Sequence, residues 1–152
     1  MTTKKICMVT GANRGIGKAI ALGLARQNTI VMMVCRDRQR GEASQAEVRS
    51  VTGNPSVKLM IADLSSQASI RELVQQYQAT YPRLDVLINN AGVAKKEYTP
   101  TMDGLETTFA VNHLAPFLLT NLLLDSIKNS SAARIVNVSS LVHKWGEIDF
   151  DD

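Results

Sequence analysis

The chain has 152 residues, 45% hydrophobic and 20% charged, with 17 Lys and Arg against 14 Asp and Glu for a formal net charge of +3. That length suits a single α/β domain with a real core, and the basic residues are scattered without aromatic interleaving, which argues against a nucleic-acid partner. The apolar runs are too short for a membrane span and no charged-then-apolar leader opens the chain, so no transmembrane segment is expected and a cytoplasmic protein fits best.

Lys4–Thr10 reads as the first strand, around the apolar run Ile6-Cys7-Met8-Val9. Next comes Thr10-Gly11-Ala12-Asn13-Arg14-Gly15-Ile16-Gly17, and then a helix over Ile16–Gln27 with Ile16, Ile20 and Leu24 at helical spacing on a buried face. A strand, a glycine turn and a helix in that order present free backbone N–H groups at the positive end of a helix, where a pyrophosphate binds. Gly11 lets the chain turn off the strand, Gly15 lets backbone approach phosphate, and Gly17 lets helix and strand pack closely. Asn13, Arg14 and Ile16 belong to the same turn and are candidate cofactor contacts with the glycines.

Thr29–Cys35 is a second strand, apolar throughout as a doubly covered parallel strand should be. Arg38–Val51 is a polar helix stopped by Gly53-Asn54-Pro55, Val57–Ala62 a third strand, and Ser66–Tyr81 a third helix ending before Pro82. Leu84–Asn89 is a fourth strand, Asp103–Lys128 one long helix, and Arg134–Ser139 a fifth strand. Alternating strands and helices imply βαβ crossovers. The expected fold is therefore a Rossmann-type α/β doubly wound parallel sheet of order 3-2-1-4-5, its ligands at the carboxyl ends of the strands beside the switch point between strands one and four. Cys7 and Cys35 lie inside strands and read as buried, reduced thiols; no cluster of metal ligands surrounds them.

The end of the second strand bears on which dinucleotide. A free ribose wants a carboxylate there and a 2′-phosphate wants a guanidinium. Cys35-Arg36-Asp37-Arg38 puts Arg36 first, and Arg14 can reach the same phosphate. Charge-assisted hydrogen bonds of about 1.5–3 kcal/mol each favour NADP(H) over NAD(H). Asp37 keeps NAD(H) open, since a small rotation brings its carboxylate to the ribose.

These residues resemble the short-chain dehydrogenase/reductase family. Thr10-Gly11-x-x-x-Gly15-x-Gly17 is similar to its cofactor signature and Asn89-Asn90-Ala91-Gly92 to the motif closing its fourth strand. Asn112 and Ile135-Val136-Asn137-Val138-Ser139-Ser140 resemble its catalytic asparagine and serine segments. Val34-Cys35-Arg36-Asp37, Val111–Thr120 and Val138–His143 look most like the retinol dehydrogenase and protochlorophyllide reductase branch. The resemblance implies NADP(H) and reversible hydride transfer to or from a carbonyl or alcohol, although a ring double bond is reduced in part of that branch. It also implies that Asp63 and Leu64 contact the adenine, that Asn90, Ala91 and Gly92 line the adenosine ribose side, and that Ser140, the second of its pair, hydrogen-bonds the substrate oxygen.

Asn112 has a local argument beside the resemblance. Pro116 lies four residues on and has no N–H, so the Asn112 carbonyl loses its intrahelical partner. In the family that carbonyl holds a water of the proton relay; Pro116 also reads simply as a kink. Leu114, Leu118, Leu119, Leu122 and Leu123 form a stripe read as core, part of it a possible homo-oligomer face as in the family. His113 and His143 read as packing or surface residues, and Trp145 as lying near a substrate mouth or over a sheet edge.

The family pattern breaks at one place. Its chemistry needs a tyrosine with a lysine four residues later, beyond the fifth strand, yet Tyr77, Tyr81 and Tyr98 all precede Ser140 and none has that lysine. Loss of a general acid costs about two to four orders of magnitude in rate. Asp149-Phe150-Asp151-Asp152 reads as the approach to the absent helix. Residues 1–152 are therefore expected to be the N-terminal, NADP(H)-binding part of a longer reductase domain, with the C-terminal remainder of the same fold as a partner. The competing expectation is a non-catalytic dinucleotide-binding or interaction domain.

Overall fold

The computed structural model describes residues 4–146. Strands β1 (Ile6–Thr10), β2 (Ile30–Cys35), β3 (Val57–Ile61), β4 (Val86–Asn89) and β5 (Arg134–Asn137) form one sheet in the order β3-β2-β1-β4-β5. Every pairing is parallel, with Thr10 opposite Val34 and Met8 opposite Leu87.

Period-two alternation along the strands sorts their side chains into two cores. Met8, Met32, Val34 and Leu87 pack with α3 (Gln67–Gln78), α5 (Ala115–Leu122) and α6 (Leu124–Lys128) through Ile70, Leu73, Leu119, Leu123 and Ile127. On the other face Val9, Val31, Met33 and Ile88 pack with α1 (Gly15–Arg26) and α2 (Arg38–Thr52) through Ala21, Ala25 and Val48. Burial on both sides is why β1 and β2 are apolar at every central position. The architecture is the doubly wound α/β sheet expected, with the switch point between β1 and β4.

Local chemistry sets the helix ends. Asp37 caps α2 by accepting the Arg40 N–H at 2.9 Å, and Gly53 ends it in the left-handed conformation at φ +66°. The expected helix over 103–128 is instead four pieces: α4 (Thr107–Phe109), a π turn (Ala110–Leu114), α5, and α6 beyond a break at Leu123. Residues 101–105 form a turn closed on the Thr101 hydroxyl, with Gly104 at φ +74°, and Glu106 caps α4 through the N–H groups of Thr108 and Phe109. The π turn precedes Pro116, whose ring and missing N–H forbid a regular α bond to Asn112. The third helix stops at Gln78, not Tyr81, and the fifth strand at Asn137, not Ser139. Ile16, expected on the buried face of α1, is 65% exposed, because that face is built from Gly17, Ala21 and Ala25.

Of the leucine stripe, Leu119 and Leu123 are fully buried and Leu114, Leu118 and Leu122 half-buried. Both cysteines are buried and free; burial, partly offset by the Ala12 N–H, pushes the Cys35 thiol up to about 11. At the amino-terminal end of the sheet Asp85 accepts from the Ile6 N–H, Ser130 Oγ and Arg83 Nε, locking β1, β4 and the entry to β5 together. The segment Asp149–Asp152 lies outside the described residues. Among the described residues no helix is long and apolar enough to cross a membrane.

Candidate functional site

Where β1 and β4 part, a polar staple fixes the glycine turn. Thr10 Oγ1 accepts the N–H groups of Asn90 and Ala91 at 2.9 and 3.0 Å, and Asn90 Nδ2 donates to the Thr10 carbonyl at 2.8 Å. The Gly11 and Ala12 N–H groups both donate to the Val34 carbonyl at the end of β2. Gly11 turns with φ +66°, and a Cβ at Gly17 would collide with the Gly11 carbonyl oxygen and the Asn90 amide. These contacts demand glycine: a left-handed turn at one position and no side chain at the other.

The staple leaves the start of α1 unserved. Arg14 occupies the N-cap in extended conformation, makes no side-chain capping bond, and no acidic residue follows in the first turn. Backbone N–H groups at the positive end of a twelve-residue helix therefore face outward without a side-chain partner.

A cleft of about 580 Å³ opens over this helix end. Gly11, Asn13, Arg14, Gly15, Ile16, Gly17, Arg36, Asp63, Leu64, Asn90, Ala91 and Gly92 all line it. The exposed Ile16 thus belongs to the cleft wall, not to the core. Within the wall, the Asn90 side chain is spent on the carbonyls of Thr10 and Gly11, so Asn90 holds the turn as well as lining the space. Asp63 is engaged too, its Oδ1 accepting from the backbone N–H and hydroxyl of Ser65 at 2.9 and 2.7 Å.

Arg40 also lines the cleft, as do Arg14 and Arg36. It lies in the first turn of α2, where a residue read as helical gives no hint that it faces a ligand space. The Asp37 cap fixes where that turn begins.

A second cavity of about 1170 Å³ adjoins the first, sharing Asn90, Ala91, Gly92 and Val93. Asn112, Ser139 and Ser140 line it, as do both histidines, which the sequence ranks only as packing or surface. His113 stacks on Phe109 at 5.2 Å, and His143 Nδ1 pairs with the Ser140 carbonyl. Since a carbonyl only accepts, that nitrogen carries the hydrogen. Ser140 Oγ accepts the Val142 N–H, leaving its own proton free to donate. The Asn112 side chain makes a two-point pairing with the Val93 backbone: Oδ1 accepts its N–H at 2.9 Å and Nδ2 donates to its carbonyl at 2.8 Å.

Trp145 is 81% exposed in a short 3₁₀ turn and lines neither cavity. Tyr77 is buried, donates to the Arg83 carbonyl, and is pushed up by burial, while Tyr98 stands 73% exposed on the β4–α4 loop. Among the described residues no group of three or more potential metal ligands converges.

A family model described as short chain dehydrogenase matches residues 5–150. The chain is 49% identical to human retinol dehydrogenase 13 and 47% identical to mouse retinol dehydrogenase 12, covering 97% of this chain in both cases and 45% and 47% of those proteins. The chain thus spans about half the length of the curated relatives it matches. Among solved structures it is similar to a metagenomic short-chain oxidoreductase in complex with NADP (TM-score 0.77, 31% identity, 90% of this chain and 62% of that one). It is also similar to a short chain dehydrogenase of Escherichia coli complexed with NADPH (TM-score 0.81, 30% identity, 94% and 61%).

Proposed function

The chain belongs to the short-chain dehydrogenase family, and from that premise we propose that it forms the NADP(H)-binding part of an oxidoreductase acting on a carbonyl or alcohol substrate. The observation that carries this reading is the cleft: an α1 N-terminus without a side-chain cap, a glycine turn that a Cβ would fill, and three arginines among the lining residues. In this reading the backbone of residues 13–17 holds the pyrophosphate, and Arg14, Arg36 and Arg40 hold the 2′-phosphate. Asp63 and Leu64 flank the adenine, and Ala91 and Gly92 the ribose beside it. The bound nicotinamide supplies or accepts the hydride.

In the second cavity Ser140 Oγ–H donates to the substrate oxygen, and Asn112 fixes Val93 at the junction of the two spaces. The proton-transferring Tyr/Lys pair comes from a segment of the same fold outside these 152 residues, so the chain alone is inactive or nearly so. The NADP(H)-bound relatives and the retinol dehydrogenases support the reading.

Fluorescence titration of the chain with NADPH and NADH tests it. NADPH should bind at least about tenfold more tightly, the worth of one charge-assisted contact. Equal affinities would remove the 2′-phosphate assignment, and no binding of either would remove the nucleotide site.

The competing reading is a non-catalytic dinucleotide-binding role, and the absence of a tyrosine from the second cavity among the described residues fits both. NADPH oxidation with a panel of aldehydes and ketones, run on the chain and on the complete assembly, separates the two. Binding without turnover by the complete assembly would favour the non-catalytic role.

A further inference from the structure

We propose that Asp103, on the long loop between β4 and α4 and outside both cavities, is a positioning residue for the adenine end of the cleft. The inference rests on the dinucleotide assignment above and extends it to a residue that touches neither cofactor nor substrate.

Asp103 Oδ2 accepts the N–H of Gln67, the first residue of α3, at 2.8 Å across 36 residues of sequence. That N–H is one of the unpaired donors that open every helix, and a carboxylate there also meets the positive helix end. Helix α3 already has its own cap, with Ser66 Oγ accepting from Ser69 N–H. The Asp103 contact serves a different N–H of the same turn and ties that turn to a distant loop.

Its consequence passes along a chain of hydrogen bonds into the cleft wall. Ser69, in the turn that Asp103 anchors, offers its Oγ to the Asp63 N–H at 2.9 Å. Ser66 N–H donates to the Asp63 carbonyl, and Asp63 Oδ1 gathers Ser65. Asp63 and the next residue, Leu64, line the cleft directly. The backbone of the adenine wall is thus held from behind by the first turn of α3, and that turn is held from outside by Asp103.

The loop that carries Asp103 is itself fastened at both ends. Asn112 pairs with Val93 at one end, and Glu106 caps α4 at the other. Between them Thr108 Oγ1 takes the Lys95 N–H, and the Thr101 turn presents Asp103. The loop therefore runs as a strap from the junction of the two cavities to the back of the adenine wall.

The test is titration of the full chain with NADPH and with adenosine 2′,5′-bisphosphate, at a temperature where circular dichroism shows every variant folded. D103A should weaken both probes by a similar factor, about threefold to tenfold, as expected for coupling through a residue that contacts no ligand. D103N keeps an oxygen acceptor for the Gln67 N–H and should recover most of the loss. S69A breaks the relay further along; if the two residues act in series, D103A should add little in an S69A background.

Wild-type affinity of D103A for both probes would overturn the proposal. So would a loss confined to NADPH, or full additivity with S69A. Failure of the wild-type chain to bind either probe would instead overturn the dinucleotide assignment, and this inference with it.

Discussion

Asp37 stands where a carboxylate could hold the free ribose of NAD(H), but its Oδ1 is the N-cap of α2. Asp37 lines the cleft, but turning its whole carboxylate to grip both ribose hydroxyls would break the 2.9 Å bond that it accepts from the Arg40 N–H. Asp37→Ala should therefore lower stability by about 1 kcal/mol, the worth of an N-cap. It should leave NADH affinity unchanged, as read by urea denaturation beside cofactor titration. A selective loss of NADH binding would return Asp37 to the ligand. Asp85 supplies the pH dependence. Burial pushes its carboxyl up, but the hydrogen bonds from Ser130, the Ile6 N–H and Arg83 outweigh that, and the net shift is downward. A carboxylate lowered in the folded state adds stability above its unfolded value of about 4 and loses that contribution as pH falls through the folded value. The urea midpoint of the wild-type chain should then drop on acidification below about pH 4 more steeply than that of Asp85→Asn, which has no proton to gain.

At the scale of elements, the segment from α4 to α6 shows how one residue redirects a helix. Pro116 cannot donate to Asn112, and the π turn over Ala110–Leu114 takes up the mismatch, with the Ala115 N–H reaching back to the Ala110 carbonyl. The wider turn carries Asn112, whose amide faces the Val93 backbone with a donor opposite the carbonyl and an acceptor opposite the N–H. Replacement by Ala should free both Val93 groups. Replacement by Asp should be worse, because a carboxylate oxygen would then confront the Val93 carbonyl. Amide hydrogen exchange at Val93–Lys95 should accelerate in the order wild type, Asn112→Ala, Asn112→Asp. If Asn112→Asp exchanged no faster than wild type, the two-point pairing would not be what holds the loop.

Across the whole molecule, what could be read in advance follows the range of the forces involved. The five strands and their order were legible because β1 and β2 are apolar throughout and glycines mark the first turn, patterns confined to a few neighbouring residues. The cleft residues from Gly11 to Gly17 were legible for the same reason. Arg40 and the capping role of Asp37 were not, since they depend on where α2 begins. The break in the long helix escaped because the repeating leucines run through it. The Asp103 contact escaped because it joins residues 36 apart. Exposure of the fifth strand, expected from the absence of strands beyond it in this sequence, carries the last prediction. Strand β5 is exposed along its length among the described residues, with Ile135 at 42% and Val136 at 44%, while Leu141, Val142 and Trp145 just beyond are more exposed still. An edge strand with unpaired backbone and an apolar surface is a template for another strand or another copy. The isolated chain should therefore self-associate with rising concentration in sedimentation velocity. Val136→Lys places a charge on the edge without touching either cavity, so it should reduce association and leave NADPH affinity as it was. A wild-type chain that stayed monomeric at high concentration would mean that this edge is protected in solution in some other way.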